Sequence, residues 1–356
     1  MTTDNSTIAT GDEPPAQERV SREGATGNSR WPLYIAIIAI FVLFWVFGAI
    51  NGKSTTTMLN LTVEGIMLGG ILALGSVGLT LVYGVLKFSN FAHGDMMTIG
   101  AFVAFALMQV LPGYEAIGSF SFGWGLLLAM ILAAPVVAAL SLGVDFALFR
   151  PLRRRGASVV LLTMASLAAM FFLRSIIYLI WGADYHFYYQ GRANPAMQLP
   201  FGITIQADKL FILVLALLMV GLVWVLLERT RMGKAMRATA NNPDLAQVRG
   251  INTERVIQWT WIIAGSLAAL GGVMYGLASQ VRPEMGFVLL LPLFAGTILG
   301  GIGSPVGAFI GAMIIGVAFQ LSSAFIDPTY GPGVAFMLMI LVLIVRPMGL
   351  FTMGGD

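Results

Sequence analysis

The feature that most constrains this chain is a succession of long apolar stretches separated by short polar segments. Stretches such as Trp31–Ile50 and residues 59–84 are long enough to cross a bilayer as helices, since a spanning helix needs about 20 apolar residues. Of the 356 residues, 58% are hydrophobic and 10% are charged, whereas soluble domains carry about 25% charged residues. A soluble core could not bury this much apolar sequence. We therefore predict an all-α membrane protein that crosses the bilayer several times.

The apolar stretches predict about ten transmembrane helices, some of them broken by glycine or by short polar segments. The predicted spans are Trp31–Ile50, 59–84, 96–111, 124–149, 157–182, 210–227, 256–280, 288–301, 306–324 and 334–345. Residues 1–30 are polar and mixed in charge, which is typical of disorder. The predicted organisation is thus a disordered tail (1–30), a transmembrane domain (31–350) with a long polar loop (229–255), and a C-terminal tail (351–356).

Basic residues gather in two of the loops between these spans. One loop holds Arg150, Arg153, Arg154 and Arg155 without an acid. The loop 229–255 holds Arg229, Arg231, Lys234, Arg237, Arg249 and Arg255. Loops on the cytoplasmic side carry an excess of Lys and Arg. With about ten spans both basic loops fall on one side, so both loops and both chain termini are predicted to be cytoplasmic.

Within the loop 229–255, one short segment carries the start and stop signals of a helix. Asn242 suits the N-cap, Pro243 the first helical position, and Asp244 the positive end of the helix dipole. A connector kept soluble by its charges would not need such caps, so we expect a docking element for a partner protein. The segment comprises Asn242, Pro243, Asp244, Leu245, Ala246, Gln247, Val248, Arg249 and Gly250, with Gly233 and Arg237 expected to support the loop.

Composition excludes several kinds of chemistry. The chain has no cysteine, so it can form no disulfide, thiolate zinc site or cysteine nucleophile, and its two histidines are too few to suggest a histidine metal centre. Gly48, Gly52, Lys53 and Ser54 resemble a phosphate-binding loop, but the spacing is one residue short and no strand is predicted before it. We therefore expect no catalytic residue, no metal site and no cofactor in this chain.

The segment 85–95 separates two apolar stretches and contains the most polar cluster near membrane depth. Its residues Asn90, His93 and Asp95 have two interpretations. They either line or gate a permeation path, or they satisfy the backbone groups freed by the break and cap the helix that follows. In both interpretations the segment faces protein rather than lipid.

A second interruption contains Gly300, Gly301 and Gly303. Glycines allow helices to approach closely, which is the simpler interpretation. The alternative is a pair of half-helices that shape a transport pathway. In either case Pro305 suits the first position of a new helix.

Four charged residues lie near the ends of predicted spans: Glu64, Lys87, Asp145 and Arg174. We expect them to act as interfacial anchors, with Arg174 reaching outward to water. No carboxylate stands out at mid-span, where ion-coupled carriers usually keep one. This argues against an ion-coupled secondary transporter or channel, which stays an alternative.

Four separated segments resemble the permease subunits of branched-chain amino-acid ABC importers. They are GLTLVYGVLKFSNFAHGDMMTIGAF (78–102), RPLRRRGASVVLLTMASLAAMFFLRS (150–175), GKAMRATANNPDLAQVRGINTERV (233–256) and FAGTILGGIGSPVGAFIGAMIIGV (294–317). The resemblance implies the ABC importer permease fold and import of branched-chain or related small amino acids across a bacterial inner membrane. The family also includes permeases for urea, short amides and small organic acids, so those substrates stay open.

The resemblance also implies partners. They are a second permease subunit (a heterodimer is favoured over a homodimer), two cytoplasmic ATPase subunits that bind ATP and Mg, and a periplasmic substrate-binding protein. The segment 243–249 would be the coupling helix that sits in a groove of the ATPase. Hydrolysis would then belong to the partner, and this chain would not be an enzyme. The polar tail and the first span, Trp31–Ile50, depart from the shorter members of the family.

Overall fold

The structure is a computed structural model that describes residues 31–113, 115–189, 196–199, 202–345 and 349–351. These residues form mainly α-helices. The helices are α1 Trp31–Ile50, α2 Thr55–Leu86, α3 Ala92–Met108, α4 Trp124–Val144, α5 Arg150–Arg154, α6 Val159–Trp181, α7 Ala207–Arg229, α8 Arg231–Asn241, α9 Pro243–Val248, α10 Thr253–Ala278, α11 Met285–Gly300, α12 Pro305–Ser322 and α13 Gly331–Val345. The predicted tail 1–30, Arg346 and residues 352–356 lie outside the described residues.

Helices that could cross a membrane dominate the described residues. Six are long and apolar enough, and four shorter apolar helices accompany them. The six are Thr55–Leu86, Trp124–Arg154, Val159–Trp181, Ala207–Arg229, Thr253–Ala278 and Pro305–Ser322. The predicted class, a helical membrane protein that crosses the bilayer several times, is confirmed. The count of about ten spans requires the shorter helices to cross as well, and it stays a prediction.

Helix α2 is the element on which the other helices pack. It is 32 residues long, and α7, α10, α11 and α12 all lie against it. Glycine makes the closest of these contacts. A Cβ on Gly65 would lie 2.5 Å from the Cα of Val317, and a Cβ on Gly316 would lie 2.4 Å from the backbone nitrogen of Gly69. Helices α2 and α12 therefore pack backbone against backbone, as small residues allow in membrane proteins.

The loops divide between the two ends of this bundle, which we call the α9 end and the far end. At the α9 end, Arg150 pairs with Glu254 at the start of α10, at 3.0 Å. The backbone N–H of Leu350 donates to the carbonyl of Leu299 at the end of α11, and the turn that follows α11 lines one cleft with α8. Both basic loops thus lie at the same end of the bundle, as the charge pattern predicts.

A small sheet lies at the far end, within the loop between α6 and α7. Strands β1 (Ala196–Leu199) and β2 (Ile203–Gln206) pair antiparallel, and the N–H of Thr204 donates to the side chain of Asn60 near the start of α2. In the same loop, the hydroxyl of buried Tyr188 donates to the carbonyl of Ala101. Burial raises the pKa of Tyr188 well above its ordinary value. This loop is therefore packed onto the bundle rather than being a simple connector.

The helix that begins at Trp124 continues further than the sequence suggests. Residues 150–155 were expected to form a short loop, yet a π-helical turn (Asp145–Phe149) leads directly into α5. Pro151 lacks an amide hydrogen and removes one hydrogen bond from a regular helix. The π-helical turn directly precedes Pro151, and the helix then continues to Arg154. Gly156 follows with a φ of +71°.

Because α2 packs so closely on α12, adding one methyl group at their contact should strongly lower the stability of the protein. We expect Gly316→Ala to destabilise the protein by about 1–3 kcal/mol, because the added Cβ overlaps the α2 backbone. Gly221→Ala on α7 is the matched control, since a Cβ there meets nothing within 4 Å. The measurement is thermal unfolding in detergent, followed by tryptophan fluorescence. Equal melting temperatures for the two variants would contradict the close packing.

Candidate functional site

The short helix α9 forms where its capping residues predict it. Asn242 is the N-cap, and its side-chain oxygen accepts a hydrogen bond from the N–H of Leu245 at 3.0 Å. Pro243 occupies the first helical turn with Asp244. The helix ends at Val248, one residue before the predicted end, and Gly250 follows with a φ of +82°. A left-handed glycine just past the last turn is a common helix stop.

Helix α9 presents apolar side chains to solvent. Leu245 is 56% exposed and Val248 is 83% exposed, whereas Ala246 is 3% exposed and faces the protein. Isolated exposed apolar residues are ordinary on a protein surface. Two of them on a single capped helix, with charged Asp244 and Arg249 beside them, form a surface suited to contact with another protein.

The residues that follow α9 tie it to the body of the protein. The N–H of Ile251 donates to the carbonyl of Ala246, and the side chain of Gln247 donates to the hydroxyl of Thr253, the first residue of α10. Asn252 in turn caps α10 by accepting from the N–H of Arg255. Helix α9 is thus tied to the long helix α10 through a short, hydrogen-bonded turn.

The two residues expected to support this loop lie at the corner between α7 and α8. A Cβ on Gly233 would lie 2.3 Å from the carbonyl oxygens of both Leu226 and Leu227, so only glycine fits there. Arg237 pairs with Glu228 at 2.5 Å, which joins α8 to the end of α7. Both residues therefore fix the direction in which the loop leaves the bundle.

The break between α2 and α3 is buried against protein, as predicted. Asn90 accepts a hydrogen bond from the N–H of Ala92 and so satisfies a backbone group freed by the break. His93 contacts the carbonyl of Gly75 through Nε2 at 3.0 Å. Because a carbonyl only accepts, Nε2 carries the hydrogen and Nδ1 is an acceptor. Neither Nδ1 of His93 nor Nδ2 of Asn90 has a hydrogen-bond partner among the described residues.

The contacts of Asp95 and Arg174 differ from simple capping and anchoring. In one of the two interpretations of the break Asp95 caps α3, and Arg174 was expected to reach outward to water. Instead, fully buried Asp95 pairs with Arg174 of α6 at 3.0 Å, and the Arg174 side chain is only 14% exposed. The guanidinium also lies 4.6 Å from the ring centroid of Phe287. An unpaired buried carboxylate is costly, so the arginine is held inside the bundle.

Sequence patterns did not indicate this buried ion pair. The two residues are 79 positions apart in the sequence, and no local pattern connects them. The other charges assigned to interfaces are paired as well: Asp145 with Arg153 at 2.6 Å and Glu64 with Lys209 at 2.5 Å. Lys87 instead follows the end of α2 in a left-handed conformation, with a φ of +58°.

The glycine interruption forms a tight turn between α11 and α12. A Cβ on Gly300 would lie 2.0 Å from the carbonyl oxygen of Gly307, so the two helices touch there. Gly301 and Gly303 have φ angles of +105° and +91°, and the N–H of Gly303 donates to the hydroxyl of Thr80 on α2. Close packing, the simpler interpretation, therefore accounts for Gly300, whereas Gly301 and Gly303 adopt left-handed backbone conformations that favour glycine. Helix α12 begins at Pro305, as predicted.

The two interruptions meet α2 at different levels. His93 reaches Gly75, whereas Gly303 lies against Thr80. The glycine turn also borders a cleft of about 240 Å³ at the α9 end, together with Gly84 of α2 and Arg237 of α8. Among the described residues, acidic and histidine side chains form no group of three that could hold a metal ion.

The fold is that of a polytopic membrane protein, and α9 exposes apolar side chains at one end of it. Comparison with known proteins adds the family. A family model described as the permease component of branched-chain amino acid transport systems matches residues 61–343. The chain therefore belongs to the family of ABC transporter permeases that this model describes.

Named relatives agree with this assignment. The chain is 33% identical over 294 residues to the high-affinity branched-chain amino acid permease LivH of Escherichia coli K12, covering 81% of this chain and 93% of that protein. It is 30% identical over 299 residues to BraD of Pseudomonas aeruginosa, covering 81% and 94%. Among solved structures, an inward-facing ABC transporter described as metal-chelate type gives a TM-score of 0.43 at 16% identity, covering 81% of this chain and 85% of that one.

The Asp95–Arg174 pair leads to a prediction on stability. We expect Asp95→Leu or Arg174→Met alone to destabilise the protein by about 3–5 kcal/mol, because each leaves a buried charge without its partner. The double variant should regain most of the lost stability, since it leaves no buried charge. Melting temperature in detergent is the measurement. A double variant no more stable than either single variant would contradict the pairing.

Proposed function

We propose that this chain is a permease subunit of an ATP-driven importer that carries branched-chain amino acids into the cytoplasm. Membership of the permease family supports the transport role. The substrate rests on the names of LivH and BraD, both described as high-affinity branched-chain amino acid permeases. The family assignment disfavours an ion-coupled carrier. The buried carboxylate of Asp95 gives no support to an ion-coupled carrier, because Arg174 pairs with it and compensates its charge.

The observation that carries the proposal is the construction of α9. It is short, capped and exposed on one face, and it is tied to α10 by hydrogen bonds. In the proposed complex, an ATPase subunit binds this face of α9. When the two ATPase subunits close around ATP, the bound subunit moves α9. The motion passes through the turn at Gly250 into α10, which packs on α2, α3 and α4. ATP and Mg stay on the ATPase, and this chain performs no covalent chemistry.

The same proposal assigns the two ends of the bundle. The α9 end, with both basic loops, faces the cytoplasm of a bacterial cell, and both termini lie there. The far end, with the β-hairpin, faces a periplasmic substrate-binding protein. A second permease subunit, different from this one, completes the pathway across the inner membrane. Transport requires two states whose balance the ATPase and the binding protein both shift.

The two interruptions beside α2, the break between α2 and α3 and the turn between α11 and α12, are the proposed places where the bundle changes conformation during transport. Asn90 and His93 lie in a break where two buried polar atoms lack partners among the described residues. Gly301 and Gly303 lie in a turn with left-handed backbone conformations. Both positions contact α2 without being part of it, so each can shift while α2 keeps its packing against α12.

The exposed face of α9 predicts how ATPase coupling can be lost. We expect Leu245→Asp and Val248→Asp to reduce co-purification of the ATPase subunits and transport-linked ATP hydrolysis by about tenfold, since each places a charge in an apolar contact. Lys234→Asp on exposed α8 is the control for added negative charge at the same end and should have a small effect. Normal co-purification and hydrolysis in both α9 variants would count against the docking role.

The substrate is tested on the whole complex. The periplasmic protein that co-purifies with the complex is assayed for binding of L-leucine, L-isoleucine and L-valine, with urea and acetamide as competitors. The proposal expects the three amino acids to bind and to be taken up by proteoliposomes that contain ATP. Uptake of urea or acetamide instead would contradict the proposed substrate and indicate a urea or amide permease of the same family.

A further inference from the structure

A second cavity lies toward the far end of the bundle, with a volume of about 280 Å³. Five helices surround it: α2, α7, α10, α11 and α12. Glu64 in this cavity and Gly84 in the α9-end cleft lie 20 residues apart on α2 (84 − 64). At 1.5 Å per helical residue this separation is about 30 Å, the thickness of a hydrocarbon core. The cavity therefore opens near the side opposite α9.

Two opposite charges lie on the wall of this cavity. The ammonium of Lys209 on α7 contacts both carboxylate oxygens of Glu64 on α2, at 2.5 and 2.7 Å. The Glu64 side chain is 32% exposed and that of Lys209 is 18% exposed. A partly exposed ion pair contributes little to stability, because water solvates both ions when the pair opens. Each charge is therefore accessible to a solute that offers it a counter-charge.

The remaining wall is mostly apolar. Leu68, Leu72 and Leu289 line the cavity beside Pro292 and Phe319. Leu72 and Leu289 are buried in the bundle, so this part of the wall is a well-packed apolar surface. Small-molecule sites typically combine such a surface with a few polar groups that fix orientation.

The cavity therefore has the groups that recognise an aliphatic α-amino acid. Such a molecule carries an ammonium and a carboxylate on one carbon atom and an apolar branch beside them. Its carboxylate complements Lys209, its ammonium complements Glu64, and its branch complements the leucines. Entry exchanges one ion pair for two and leaves no charge unpaired, which offsets the loss of the original contact.

We propose that this cavity receives the aliphatic α-amino acid at the far end of the permease during import. Lys209 binds the α-carboxylate, Glu64 binds the α-ammonium, and Leu68, Leu72 and Leu289 enclose the side chain. The inference rests on the proposed function for its substrate class. It adds a binding site within this chain, separate from the α9 surface and from the periplasmic binding protein.

The test is equilibrium binding of radiolabelled L-leucine to the purified complex of permease and ATPase subunits without the periplasmic protein. We expect saturable binding that weakens about tenfold or more in Lys209→Met and in Glu64→Gln, because each variant removes one charged contact. Lys53→Met, at an exposed position of the same end, is the control and should bind L-leucine normally. Melting temperatures of all variants show which of them are folded.

Analogues test the same site on the unaltered complex. 4-Methylpentanoate lacks the ammonium and 3-methylbutylamine lacks the carboxylate, so both should compete poorly with L-leucine, whereas L-isoleucine should compete well. The charge-exchanged variant with Glu64→Lys and Lys209→Glu keeps an ion pair but reverses it across the cavity. It should fold and still bind L-leucine about tenfold more weakly, because the aliphatic branch would point away from the leucines.

The outcomes separate the inference from the proposed function. If the complex with its binding protein imports L-leucine, but the complex alone shows no saturable binding, the inference is wrong and the function stands. Binding within twofold of normal in folded Lys209→Met and Glu64→Gln would also overturn the inference. If the full complex imports no branched-chain amino acid, the proposed function fails and the inference fails with it.

Discussion

Close backbone contact between α2 and α12 is the constraint on which the rest of the structure depends. Inside a bilayer, apolar side chains gain little by leaving lipid, so helices associate where small residues let their backbones approach. Gly65 and Gly69 of α2 meet Val317 and Gly316 of α12 in this way. With α2 held there, its remaining surface is free to receive α7, α10 and α11. The α9-end cleft and the cavity beside Glu64 are both bounded by this pair of helices.

Polar groups inside the bundle then determine how the other helices are oriented. Arg174 joins α6 to α3 through Asp95, and Lys209 joins α7 to α2 through Glu64. The Asp95 carboxylate is fully buried and must be paired, because water is absent to solvate it, whereas the Glu64–Lys209 pair is partly exposed beside a cavity. These contacts therefore act over long distances in the sequence. Helix α9 takes no part in these contacts, and its Leu245 and Val248 side chains are exposed.

Much of the architecture could be predicted from local patterns. The first predicted span matches α1, and α9 and the start of α12 follow from capping residues and proline. These features depend on neighbouring residues, so a single sequence contains the necessary information. The continuation of α4 through a π-helical turn was missed, because the basic residues after Phe149 were taken as a loop. The β-hairpin at the far end was missed because its strands are only four residues long.

The sequence by itself determined that this chain is a helical membrane protein with a capped helix in its basic loop. Hydropathy and capping act over a few residues, so a single sequence contains the information they need. Only the tertiary structure decided that Arg174 turns inward to Asp95 and that Lys209 meets Glu64 beside a cavity. Those partners lie 79 and 145 positions apart. Which charges meet depends on how the helices pack, and glycine contacts along α2 set that packing.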